Sequence, residues 1–133
     1  MPVSHHELCF GCGLANVFGL HLELDPQPEG GLTGRFFVKQ DHQGPPGVGH
    51  GGVIGAALDE AMGLALHADG VHARARHYEV DLHMPAPVGT FVNVRARVER
   101  VDGRKAWVTA TAAGEGGTIA EAHGLFVSVE DGA

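Results

Sequence analysis

His50-Gly51-Gly52-Val53-Ile54-Gly55-Ala56-Ala57-Leu58-Asp59-Glu60-Ala61-Met62-Gly63-Leu64-Ala65-Leu66-His67-Ala68-Asp69 is the stretch whose reading decides the fold. Ile54, Leu58, Ala61 and Ala65 recur at helical spacing, and the alanine content favours a helix from His50 to about Asp69. The segment before it, Asp41-His42-Gln43-Gly44-Pro45-Pro46-Gly47-Val48-Gly49, has the Gly and Pro content of a loop without regular structure. This is the only convincing helix in the chain, and it is apolar nearly all round, so the rest of the protein must surround it.

Working outward, the period changes from 3.6 to 2. Tyr78, Val80, Leu82 and Met84 alternate with His77, Glu79, Asp81 and His83, which predicts a strand with one buried face that ends at Pro85 and Pro87. Val92, Val94, Ala96 and Val98 alternate with Asn93, Arg95, Arg97 and Glu99, and Ala106, Val108, Ala110 and Ala112 alternate with Lys105, Trp107, Thr109 and Thr111. Asp102-Gly103 between these runs is hairpin-turn chemistry. A last strand spans Thr118 to Glu130. Upstream of the helix, Gly19 to Asp25 and Gly31 to Lys39 read as a hairpin across Pro26-Gln27-Pro28-Glu29-Gly30-Gly31. Two strands, one helix and four strands give an α+β fold. One helix cannot cover both faces of such a sheet, so the expected architecture is an antiparallel sheet of about six strands wrapped around one long central helix.

A chain of 133 residues fits one domain with its own core, and 44% apolar with 19% charged residues is a globular composition. The most apolar stretch, Gly51 to Ala68, carries Asp59 and Glu60 at its centre and does not read as a membrane span. No basic region followed by an apolar one opens the chain, so no signal peptide is read and a cytosolic location is expected. The net charge of −7 argues against nucleic acid or an anionic membrane as partner. Five of the nine Lys and Arg residues (Arg95, Arg97, Arg100, Arg104, Lys105) nevertheless fall in one short segment. Such a patch suits a small phosphorylated ligand, and equally a solvated strand face.

Two acids inside an apolar helix need a reason. A helix start presents unpaired N–H groups and a partial positive charge, which suits an oxyanion, and Gly51 and Gly52 let a ligand approach those groups closely. Asp59 shares its stripe with Gly55, Met62 and Gly63, positions that leave room beside a carboxylate. Glu60 lies 100° round the helix, beside Ala56 and Leu64, where the solvent or an interface is the expected neighbour.

At these residues the chain resembles a known family. His50-Gly51-Gly52 followed after six residues by Asp59 looks like the signature of hotdog thioesterases of the phenylacetic-acid-degradation and 4-hydroxybenzoyl-CoA type. Cys9-Phe10-Gly11-Cys12-Gly13 with Asn16 and Gly19-Leu20 is similar to the N-terminal segment of one subgroup. Gly44-Pro45-Pro46-Gly47 resembles its pre-helix loop, and Pro85-Ala86-Pro87-Val88-Gly89 its strand-to-strand corner. The resemblance implies an acyl-CoA hydrolase that needs no cofactor and no metal, assembled as a homodimer with shared active sites and further as a homotetramer. It implies Asp59 as nucleophile or general base, the Gly51 amide polarising the thioester carbonyl, and His50 positioning the helix start. The family often has Asn or Gln seven residues before the first Gly. Gly44 stands there, with Gln43 or His42 as the candidate substitute. Gly52, Glu60, Met62, Gly63, Arg100 and Arg104 are the candidate substrate-binding residues, with Met62, Gly63 and Leu66 lining an acyl tunnel and the arginine patch holding the CoA phosphates.

Two rival functions stand beside hydrolysis: a non-catalytic acyl-CoA-binding hotdog module, which the retained acid disfavours, and a hotdog hydratase or dehydratase, which typically pairs a His with the acid. Cys9 and Cys12, preceded by His5 and His6, have spacing compatible with zinc or a redox pair. Zinc wants four ligands and a scaffold before the first strand, and a disulfide in that spacing is strained. The two cysteines are therefore read as reduced and structural.

Overall fold

The computed structural model describes residues 2–129. Six strands and one long helix are present: β1 Glu23–Pro26, β2 Leu32–Phe37, α1 Gly51–Ala68, β3 Ala73–Leu82, β4 Phe91–Asp102, β5 Lys105–Gly114 and β6 Gly117–Ser128. A 3₁₀ turn at Gln40–His42 precedes the helix. The strands form one antiparallel sheet in the order β1-β2-β4-β5-β6-β3. The α+β reading and the hotdog arrangement of six strands with one helix are therefore borne out.

The helix begins and ends as its flanking residues dictate. His50 is the N-cap, and Gly70 at φ 78° accepts the left-handed conformation that stops it. Gly70 N–H donates to the His67 carbonyl and Val71 N–H to that of Leu66, satisfying two of the last carbonyls. Along the helix Ile54, Ala57, Leu58, Ala61, Met62, Leu64, Ala65 and Leu66 are buried. The strands beneath them present Ala96, Ala106, Ala110, Ala112, Ala120 and Ala122, all buried. Small side chains on both surfaces let the helix axis lie close to the sheet. The intervening residues Arg95, Arg97, Lys105, Thr109 and Thr111 take the opposite, outer face, as the alternation requires.

Two expectations change. The run from Gly19 is a strand only from Glu23, because His21 sits at φ 54°, which no strand residue adopts. Residues 2–22 instead form an irregular segment that buries Cys12, Leu20 and Leu22 in the core. The helix is thus covered by the sheet on one side and by this segment on another. Second, the apolar face of β3 is not buried: Tyr78 is 41%, Leu82 56% and Met84 37% exposed. The cause is position, since β3 is an edge strand hydrogen-bonded only to β6. The last strand ends at Ser128, and Glu130 lies outside the described residues.

The centre of this packing is Leu58, fully buried between helix and sheet. Leu58→Ala is expected to cost about 2–5 kcal/mol, read as a lower urea midpoint with an unchanged m-value.

Candidate active site

The first turn of α1 spends all but one of its backbone donors. His50 Nδ1 accepts a hydrogen bond from Gly52 N–H at 2.8 Å, and the His50 carbonyl accepts from Val53 and Ile54 at 2.9 and 3.1 Å. The Gly51 N–H has no acceptor among the described residues, which leaves a single donor at the positive end of the helix. A side chain on Gly52 would press on the His50 ring at 3.0 Å, so the second glycine serves the cap. His50 thus positions the helix start, and only the Gly51 amide, not the pair, remains for a ligand.

Gly51, Gly55 and Asp59 lie one above another on the helix, and β3 runs alongside that stripe. A Cβ on Gly51 would meet Leu82 Cδ1 at 3.0 Å, and one on Gly55 would meet Val80 Cγ2 at 3.9 Å. One turn further, the Asp59 carboxylate acts on Tyr78, whose hydroxyl its negative charge pushes above the ordinary value. Leu82, Val80 and Tyr78 form a wall that faces the stripe across two glycines. Asp59 is half-buried and accepts no hydrogen bond from the described residues, yet its oxygens are not sealed from solvent. Burial raises its carboxyl above the usual carboxylate range, the Glu60 charge adds to this, and His5 works against it.

The other candidates scatter. Gln43 closes its own loop by accepting from Gly47 N–H, and His42 is buried against Phe36, its Nδ1 accepting from Lys39 N–H. Neither side chain is aimed at the Gly51 amide. Met62 and Leu66, expected to line an acyl tunnel, are fully buried, with Met62 Sδ 3.1 Å from the place a Cβ on Gly124 would take. They fill the core because the helix face carrying them packs on β6 rather than on open space. Gly63 faces the His5 and Phe126 rings. Arg95, Arg97 and Arg100 stand on the outer face of the sheet, where Arg100 stacks on Trp107 at 4.0 Å, and Arg104 Nη2 donates to the Ser128 carbonyl. The arginine patch and Asp59 of one chain are therefore on opposite sides of the sheet.

Glu60 also differs from expectation. The N-terminal segment folds over it, and its carboxylate meets His5 Nδ1 at 2.8 Å and Cys9 Sγ at 3.4 Å. Burial pushes Glu60 up, but hydrogen bonds from His5, Cys12 and Cys9 more than offset it and hold it below its ordinary value. Sequence spacing placed Glu60 round the helix from Asp59 correctly, but the covering segment has no periodicity that reveals where it lies. Tyr78, Val80 and Leu82 were visible as a strand face, and only the sheet order shows which helix stripe they oppose.

The family model of the thioesterase superfamily matches residues 46–121, from the pre-helix loop into β6. The chain belongs to that superfamily. Its curated relatives include the acyl-coenzyme A thioesterases THEM4 of rat, 32% identical over 52% of this chain, and of mouse, 30% identical over 66% of it. The chain spans only 30% and 39% of their respective lengths. Among solved structures, one superfamily protein is 27% identical and superposes with a TM-score of 0.84, covering 90% of this chain and 62% of its own. A variant of the phenylacetic acid degradation protein PaaI from Thermus thermophilus is 28% identical with a TM-score of 0.74, covering 83% of this chain and 95% of its own. The fold that holds the helix start and Asp59 is thus that of the superfamily.

The cap makes the first prediction for this site. His50→Ala is expected to lower stability by about 1 kcal/mol and to speed hydrogen exchange at Gly52 in particular. His50→Asn, which also caps well, should restore both; equal losses in the two variants would show that the ring packs rather than caps.

Proposed function

We propose that the protein hydrolyses an acyl-CoA thioester, with Asp59 as the group that activates water and the Gly51 amide as the donor that stabilises the oxyanion. One observation carries this reading: a half-buried carboxylate without a hydrogen-bond partner in the described residues shares a helix stripe with a lone unspent N–H. Membership of the thioesterase superfamily and similarity to acyl-coenzyme A thioesterases support it. The rival reading as a binding module leaves that carboxylate without a task.

In the proposed reaction the water oxygen bonds to the thioester carbon while Asp59 takes its proton. The carbonyl electron pair moves to oxygen, where the Gly51 N–H receives it. Collapse re-forms the carbonyl, breaks the carbon–sulfur bond and releases the CoA thiolate, which takes the proton held by Asp59 and restores its carboxylate. The product acid loses its own proton to water and leaves as the carboxylate. No step calls for a group that these residues do not supply.

Helix geometry adds a condition. Asp59 stands eight residues beyond Gly51, about 12 Å along the axis at about 1.5 Å per residue. One helix does not bring both to one thioester carbon. Two copies with helices running antiparallel do, each site taking its amide from one chain and its carboxylate from the other. The exposed apolar face and unpaired edge of β3, which flank this stripe, are where the second copy docks. In such an assembly the arginine patch of either chain remains on an outer face, so CoA phosphate binding by Arg100 or Arg104 requires further pairing of dimers.

The proposal is tested by following thiol release from short, medium, long and aromatic acyl-CoAs. Asp59→Ala is expected to lower kcat by about 10²–10⁴-fold. Gly51→Pro, which removes the N–H at a helix position that tolerates proline, is expected to lower it by about 10²–10³-fold. Unfolded and refolded together, the two inactive variants should regain about a quarter of wild-type activity, because half of random pairs hold one intact site out of two. No regain of activity would place both groups in one chain's site, and tight acyl-CoA binding with no thiol release by the wild type would make the protein a binding module.

A further inference from the structure

His5, Cys9 and Cys12 come from the irregular N-terminal segment and Glu60 from the middle of α1, and the catalytic reading uses none of them as a reacting group. Their ligand atoms (one imidazole nitrogen, two sulfurs and a carboxylate oxygen) all lie within 4.8 Å of one another. Cys9 Sγ is 3.7 Å from His5 Nδ1 and 3.4 Å from Glu60 Oε2, Cys12 Sγ is 3.6 Å from His5 Nδ1, and His5 Nδ1 is 2.8 Å from Glu60 Oε2. A tetrahedral zinc ion with metal–ligand bonds of about 2.0–2.3 Å has ligand–ligand edges of about 3.3–3.8 Å. Of the six edges, Cys9–Cys12 and Cys12–Glu60 lie within 4.8 Å, and three of the four separations just given already match. The fourth is a direct hydrogen bond that opens by a few tenths of an ångström when a cation replaces the proton between the two groups.

We infer that His5, Cys9, Cys12 and Glu60 form a structural zinc site that pins the N-terminal segment to helix α1. The backbone around the cysteines is built for that purpose. Cys9-Phe10-Gly11-Cys12-Gly13 turns tightly, with Gly13 N–H donating to the Cys9 carbonyl at 2.8 Å. A Cβ on Gly11 would sit 2.2 Å from Glu60 Cγ, and one on Gly13 would sit 2.4 Å from the Glu7 carbonyl oxygen. Only glycine lets the turn close and the carboxylate reach it. The Cys12 sulfur also accepts from His5 N–H at 3.2 Å and from the Ser4 hydroxyl at 3.6 Å, the kind of donors that orient and stabilise a ligating thiolate. Two sulfurs, one imidazole and one carboxylate suit zinc better than magnesium or calcium, which prefer all-oxygen sites. Four protein ligands leave no open position, so the ion holds structure and does not activate water.

Residues 2–22 contain no helix or strand, and they cover α1 next to Asp59. A segment of that kind loses much chain entropy on folding, and a metal cross-link offsets it where few backbone ladders do. The site therefore sets the position of the helix turn that carries Asp59, through the ligand immediately after it.

Metal analysis of the full chain, purified with reductant, is expected to find one zinc per chain. After chelation, titration of the apoprotein with Co²⁺ should saturate at one equivalent and give the intense visible bands and sulfur-to-cobalt charge transfer of a tetrahedral thiolate site. Cys9→Ser and Cys12→Ser should each lower that charge transfer. Glu60→Gln should keep it while weakening Co²⁺ binding by at least about tenfold. The apoprotein should also be cut by chymotrypsin after Phe10 or Phe18, both exposed, faster than the zinc form. Wild-type apoprotein that takes up no stoichiometric zinc or Co²⁺, or that binds Co²⁺ with an octahedral spectrum lacking charge transfer, overturns the site and leaves a His5–Glu60 ion pair beside two thiols. Because the wild-type titration needs no variant to fold, a misfolded substitution does not shield the proposal.

Discussion

The close seating of one helix on the sheet governs everything else in this protein. Ala57, Ala61 and Ala65 on α1 are buried with Ala106, Ala110 and Ala112 of β5 and Ala120 and Ala122 of β6. Where both surfaces are small, the backbones approach, dispersion contacts become dense, and the helix has little freedom to roll or slide. A helix fixed in rotation has fixed stripes. The stripe of Gly51, Gly55 and Asp59 is held toward β3, and Glu60, one position on, is held toward the N-terminal segment. Two chemically different neighbourhoods thus sit on adjacent residues of a single rigid element, which is the arrangement that best preserves the aim of short side chains.

The helix start shows how a cap shapes chemistry by subtraction. An uncapped first turn offers several N–H groups, and a ligand can bind any of them. Here the His50 side chain and carbonyl take three, so the donor that remains is set by the backbone itself and needs no reorganisation when charge develops nearby. The same economy explains why the loop before the helix is so rich in glycine and proline. The His50 N–H donates to the buried His42 carbonyl at 2.7 Å, and a Cβ on Gly44 would sit 3.0 Å from the His50 Cα, so the loop is a template for the cap.

What the sequence reveals here tracks how local the determining physics is. The helix was legible from His50 to about Asp69 because its apolar spacing and alanine content are local, whereas Gly70, the residue that stops it, was not read as a signal. The strands of the second half were equally legible, because alternation such as Val92, Val94, Ala96 is local too. The exposure of Tyr78 and Leu82 was not, since alternation reports that a face is apolar and says nothing of whether the strand lies at an edge. The burial of Met62 and Leu66 was not legible for a related reason: helical spacing fixes relative angles between residues, whereas the absolute roll of the helix is decided by strands far away in sequence. The surroundings of Glu60 were least legible, since residues 2–22 obey no period, and their course is set by single contacts such as His21 Nε2 with the Asn16 carbonyl at 2.7 Å.

The two edges of the sheet are unlike. β1 is four residues long, ends in Pro26, and has part of its hydrogen-bonding edge taken by Val3, whose N–H donates to the Leu24 carbonyl. β3 is ten residues long, and its outer edge and much of its apolar face are uncovered. A blunt edge and an adhesive edge on the same sheet impose an arithmetic on growth: strand-to-strand joining uses up the adhesive edge on both participants and leaves only blunt ones. Paired as proposed, such a sheet extends once and terminates, which spares a β-rich chain the open-ended stacking that leads to fibres.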